Sequence, residues 1–247
     1  MNAEEAVYTR QYKLKNADVD LHRRLRPSVL FTMLQEAAIA HTEALGMGRD
    51  KTLDRGLLWV VTLQRITVHR MPRYDETVTL VSWPGKTMHV LFPRYYRMTD
   101  GSGQVLLEGS ALWTLMDQES RTMVFPDEHG VVIPGHVTGW ETPLPRAPKP
   151  LALTEAAEYT VPYSSIDLNG HMNNVRYLDL AEDTLPPALH DRALRSLEVE
   201  YSSEARLGDR ITLRWGSEGG FWYLTGEAAK RLFRMRLEYG EAETIEN

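Results

Sequence analysis

Two similar α+β units in tandem, each a long helix wrapped by an antiparallel sheet, are the fold this sequence predicts, on three observations. An apolar period of helical spacing begins at Pro27 and is followed by strand-like runs up to about residue 125. A stretch carrying Pro134, Pro143, Pro145, Pro148 and Pro150 then interrupts the pattern. Beyond it the same order returns, a helix and then strands.

Pro27 and Ser28 suit a helix start, and Val29, Leu30, Met33, Leu34, Ala37, Ala38, His41 and Leu45 recur at helical spacing before Gly46 ends the run. Strands are expected at Leu58 to Val68, Thr77 to Trp83, Val90 to Met98 and Val105 to Met116, with Asp100-Gly101-Ser102-Gly103 as a hairpin turn. One more is expected near Ser120 to Phe125, closed by Pro126. The second helix is expected from about Asn174 to Leu185, where Pro186-Pro187 stops it. Strands follow near Leu194 to Tyr201, Arg210 to Trp215, Phe221 to Ala228 and Leu232 to Tyr239. Val19-Asp20-Leu21 matches Ile166-Asp167-Leu168, each just ahead of a helix. The chain is thus expected to divide into residues 1–128, a linker over 129–150 that packs partly on the surface, and residues 151–247. The second unit is small and is expected to complete its core against the first, with the two sheets pairing edge to edge.

The 247 residues, 43% hydrophobic and 25% charged, are those of an ordinary globular protein. A formal charge of −6 argues against nucleic acid as a partner. No apolar run approaches the roughly 18 residues of a membrane span, and the charged start MNAEEAVYTR has no secretory core, so a cytoplasmic protein without membrane insertion is expected. There is no cysteine, which excludes disulfides, thiolate metal sites and a sulfur nucleophile. The eight histidines show no metal-ligand spacing, so neither metal nor cofactor is expected.

The chemistry-bearing stretch is Ile166-Asp167-Leu168-Asn169-Gly170-His171-Met172-Asn173-Asn174. Asp167, Asn169 and His171 fall at i, i+2 and i+4, one face of an extended chain, and offer a base, a polar donor and an imidazole. Gly170 permits a turn among them, and the helix beyond Asn174 would aim free N–H groups at the same place. The competing account is an Asx turn that only caps the helix. Alternation along Leu197 to Tyr201 puts Glu204 on the solvent face unless the strand end re-aims it. Two basic clusters, Arg23, Arg24 and Arg26, and Lys230, Arg231, Arg234 and Arg236, are solvated faces or a landing place for an acidic protein.

In these residues the chain resembles the acyl-[acyl-carrier-protein] thioesterases of plants and bacteria. Asp167 to Asn174 matches that family's D-x-N-x-H-V-N-N motif, with Met172 for Val, and Val199 to Ala205 matches its L-E-Y-R-R-E-C strand. Leu34-Gln35-Glu36-Ala37, Trp59-Val60-Val61-Thr62 and the stretch from Trp113 to Arg121 match its first half. The resemblance implies a tandem hot-dog fold and hydrolysis of fatty acyl thioesters on acyl carrier protein, with no cofactor. It implies Asp167, Asn169, His171 and Glu204 as the catalytic set, reversing the solvent placement of Glu204. It implies an acyl pocket in the first half, with Met33, Leu34, Ala37, Leu57, Trp59, Trp83 and Trp113 as wall residues.

Ala205 stands where many relatives carry Cys, so a Cys-His-Asn mechanism has no sulfur here. A carboxylate must serve, either Glu204 or Asp167, and burial beside the acyl chain is expected to strengthen it as a base. Coenzyme A thioester hydrolysis and a non-catalytic acyl-binding regulator are the alternatives. A tandem chain already holds the pair of folds that single-domain relatives obtain by dimerising, which leaves monomer and homodimer both open.

Overall fold

A computed structural model describes residues 6–242, so the charged start over 1–5 and the end over 243–247 lie outside it. Its first half runs β1 (Tyr8–Lys13), α1 (Pro27–Ala44), β2 (Leu57–Val68), β3 (Thr77–Pro84), β4 (Leu91–Thr99) and β5 (Val105–Asp117). Its second half runs β6 (Glu155–Thr160), α2 (Arg176–Thr184), β7 (Arg192–Tyr201), β8 (Arg210–Glu218), β9 (Phe221–Glu227) and β10 (Arg231–Ala242).

The two sheets do join edge to edge. They form one ten-stranded sheet in the order β1-β3-β4-β5-β2-β7-β10-β9-β8-β6, with β2 and β7 as the central antiparallel pair. Residues near 20 and near 167 form the same turn in each half. Asp20 N–H donates to Arg24 O and Asp167 N–H to His171 O, both at 2.8 Å, and the bridges Val19↔Leu25 and Ile166↔Met172 close the two loops alike.

Helix α1 is long because eighteen residues keep one apolar face and Pro27 starts it where an N–H would have no partner. Gly46, at φ 76, ends it in the left-handed conformation that glycine adopts at little cost. Helix α2 is nine residues, so the expectation of two long helices holds for the first half alone. Residues 173–175 turn but do not enter α2, because the Asn173 side chain takes the Val175 N–H at its start.

One core spans both halves and joins Phe31 and Leu34 of α1 to Tyr177 of α2 and Phe233 of β10. A smaller cluster of Leu57, Phe92, Leu115, Val131 and Ile133 closes the far end of the first half. Val131 and Ile133 belong to the Pro-rich segment, so part of that linker is core rather than surface covering. The strand expected near Ser120 to Phe125 is replaced by a turn and a single bridge, Met116↔Met123, because the Asp117 carboxylate collects the N–H groups of Glu119 and Ser120. The edge strands β1 and β6, mostly polar and exposed, had no apolar alternation to announce them. No described helix is long and apolar enough to cross a membrane.

Candidate active site

The cleft that gathers the motif residues arises from a fault in the central pairing. Between Val61 and Leu63 the β2–β5 register slips, leaving Thr62 as the extra residue of a bulge. The β2–β7 ladder stops at Leu63↔Glu200, so Leu58 to Thr62 part from the end of β7. The Asp167 loop fills one side of the opening and Ser202 to Glu204 the other, around a cavity of about 590 Å³.

The loop is built by its own backbone. Asp167 Oδ1 accepts the N–H of Asn169 at 2.8 Å and that of His171 at 3.4 Å. Gly170 sits at φ 80, and Met172 N–H donates to Ala205 O, tying the loop to the segment that carries Glu204. The Asx turn is therefore real, and it presents His171 instead of merely capping a helix. The His171 ring is buried, with Nε2 at 3.1 Å from Glu204 Oε2.

Glu204 reaches the cleft because β7 ends at Tyr201 and the N–H groups of Ser202 and Ser203 both turn to Leu232 O. Strand alternation no longer governs the residue after that point, which is why alternation had placed it in solvent. The burial expected to strengthen a carboxylate base is not found there, since the Glu204 side chain is 42% exposed. Its other oxygen, Oε1, accepts from Arg121 Nη1 at 2.9 Å.

Asn169 lines both the cleft and an apolar cavity of about 280 Å³. The N–H groups expected from the helix start are mostly taken. Asn173 Oδ1 accepts from Val175 and Asn173 O from Arg176, which leaves the Asn174 N–H without an acceptor among the described residues.

Of the expected wall residues, Leu57, Trp59 and Trp113 line the apolar cavity. Met33, Leu34 and Ala37 do not. They lie on the face of α1 turned into the main core, and Ala38, Ile39 and Thr42, about a third of a helical turn round, line the cavity instead. Trp83 is also elsewhere, fully buried, with Nε1 donating to Glu141 Oε1 at 3.0 Å.

Sequence reasoning missed Arg94, a buried residue of β4 on the cavity wall. It donates to His41 Nδ1 at 2.7 Å, to Thr42 Oγ1 at 3.1 Å and to Ala38 O at 3.2 Å, and burial lowers its pKa to about 10. An even spacing of inward positions on β4 could have flagged it. The basic clusters are largely neutralised. Arg24 pairs with Asp20, Arg231 and Arg234 with Glu200, and Arg236 with Glu198.

Comparison with known proteins adds sequence and fold. Residues 5–128 match the profile of the acyl-ACP thioesterase N-terminal domain, and residues 149–243 that of the acyl-ACP thioesterase C-terminal domain. A palmitoyl-acyl carrier protein thioesterase of Cuphea hookeriana is 27% identical over 93% of this chain and 59% of its own length. A dodecanoyl-[acyl-carrier-protein] hydrolase of Umbellularia californica is 25% identical over 94% of this chain and 67% of its own. The chain spans between about half and two thirds of the length of such relatives. In fold it is similar to an acyl-ACP thioesterase from Bacteroides thetaiotaomicron, with a TM-score of 0.82 and 21% identity over 97% of this chain and all of that one. It is also similar to the 12:0-ACP thioesterase from Umbellularia californica, at 0.81 and 21% over 95% and 97%.

Proposed function

We propose, for a chain that belongs to the acyl-ACP thioesterase family, that it hydrolyses fatty acyl thioesters of acyl carrier protein and releases the free acid. The observation that carries this reading is the contact of His171 Nε2 with Glu204 Oε2 at 3.1 Å, in a cleft that shares Leu58, Trp59, Trp113 and Asn169 as walls with an apolar cavity.

The thioester carbonyl sits against the Asn169 amide and the Asn174 N–H, which hold the negative charge that develops on its oxygen. Glu204 takes a proton from water as the water oxygen bonds to the carbonyl carbon. His171 holds the carboxylate and passes the proton to sulfur as the C–S bond breaks. Asp167 keeps a structural place in this scheme, because its carboxylate serves backbone N–H groups while Glu204 meets the ring. No sulfur nucleophile is required, in keeping with Ala205 and the absence of cysteine.

The acyl chain enters the cavity lined mostly by residues of 1–128, with Ile133 of the linker 129–150 and Leu168 and Asn169 beside them, and 151–247 contributes the reacting loop. Each buried methylene favours binding by about 0.8 kcal/mol. The carrier is an acidic protein approaching the open side of the cleft, where Arg206 and Lys230 lie. Since one chain holds both halves of the sheet, a monomer suffices for the site.

Thiol release from a series of acyl carrier protein esters, with matched coenzyme A esters alongside, tests the reading. Turnover on the carrier-protein series is expected. Release from the coenzyme A series alone overturns the carrier, and release from neither overturns the activity.

A further inference from the structure

Among the described residues, Arg121 is the first-half side chain hydrogen-bonded to the Glu204 carboxylate, and the chain goes to some length to put it there. The turn after β5 is wound on Asp117, whose carboxylate accepts Ser120 N–H at 2.7 Å and Ser120 Oγ at 2.8 Å, while its main-chain O accepts Arg121 N–H at 3.0 Å. Arg121 itself sits at φ 56, a left-handed conformation that a residue with a Cβ rarely adopts. From this turn its Nη1 reaches Glu204 Oε1 at 2.9 Å, across the junction of the two halves. The two carboxylate oxygens are thus divided, one to Arg121 and one to His171.

We infer that Arg121 is a positioning residue for the base: it holds the Glu204 carboxylate turned toward His171, so the half that lines most of the acyl cavity also aligns the base that the other half contributes. This rests on the reading of Glu204 as base. The groups around Glu204 are known. His171 and Asp167 face it from the motif loop, Arg206 from its own segment, Lys230 from the turn before β10, and Tyr177 from α2, whose hydroxyl pKa is raised chiefly by burial and further by the Glu204 charge. Of the cations among the described residues, Arg121 is the one in contact; no ion pair joins Arg206 or Lys230 to Glu204. A carboxylate that loses such a neighbour is free to turn away from the ring, so kcat must fall when Arg121 is removed while KM stays in place.

The test is kcat and KM for Arg121→Gln and Arg121→Lys on one acyl carrier protein ester, with Glu204→Gln alongside. Arg121→Gln is expected to lower kcat about tenfold with KM within about twofold of the wild type, and Arg121→Lys to recover most of that loss. An unchanged kcat overturns the inference, and so does a rise in KM alone, which would mark Arg121 as a carrier-protein contact. Should Arg121→Gln fail to fold, the wild type carries the test. Raising salt from about 0.05 to about 0.5 M screens the pair and lowers kcat at saturating substrate, and an unmoved kcat overturns the inference. Full activity in Glu204→Gln would remove the base itself, a separate failure from that of Arg121.

Discussion

His171 and Glu204 meet, Nε2 to Oε2 at 3.1 Å, because the turn that carries the ring is hydrogen-bonded through Met172 to Ala205, the residue after the carboxylate. Loop and strand end are therefore one unit, and changes in either should be felt as changes in the pair.

His171→Ala and Glu204→Gln are each expected to lower kcat by at least about 100-fold. Because the two act together, the double variant should lose little more than either single one. Additive losses in single-turnover thiol release would show that they act independently.

Asp167 offers its carboxylate to backbone N–H groups, a task an amide oxygen can also perform. Asp167→Asn should keep most activity and Asp167→Ala should lose it along with about 1 kcal/mol of stability. Equal, large losses in both variants would return Asp167 to the role of base.

Ala38 lines the apolar cavity from α1. Ala38→Phe fills part of it and should shorten the longest acyl chain hydrolysed, each excluded methylene costing about 0.8 kcal/mol of binding, roughly fourfold in kcat/KM. An unchanged chain-length profile would mean the acyl chain runs elsewhere.

Burial lifts Glu182 of α2 to about 7, with Arg26 at 3.9 Å offsetting this only in part. Its folded-state pKa lies above the unfolded one, so between about pH 4.5 and about pH 7 the folded chain holds a proton that the unfolded chain has released. Stability should fall as pH rises through that window, by up to about 3 kcal/mol, and be flat above it. Urea unfolding of wild type and Glu182→Gln at about pH 5 and about pH 8 checks the sign, the variant being the less pH-dependent of the two.

Sequence carried the repeated order of elements and the edge-to-edge pairing, because periodicity and turn residues report on backbone and burial. It carried the Asp167, Asn169 and His171 turn for the same reason. It failed where position depends on what lies across the fold. Glu204 faces the cleft because its strand ends early, and Arg121 because a turn replaces an expected strand. Met33, Leu34 and Ala37 are as apolar and helical as Ala38 and Ile39, and only the rotation of α1 against the sheet decides which of them borders empty space. The exposed strands β1 and β6 have no apolar stripe to read.

The twin turns at Asp20 and Asp167 have gone separate ways. Where one presents His171, the other presents Arg24, whose guanidinium grips the Asp20 carboxylate and caps the carbonyls of His190 and Arg192 in the opposite half. Met71 stands in the place of Glu204, one residue before the carbonyl of Pro72 that receives Leu25 N–H as Ala205 receives Met172. Two copies of the turn stand in one chain, and this one serves as a rivet. A cavity of about 200 Å³ lies beside it, smaller than the cleft at His171, and the spare loop locks the two halves in register.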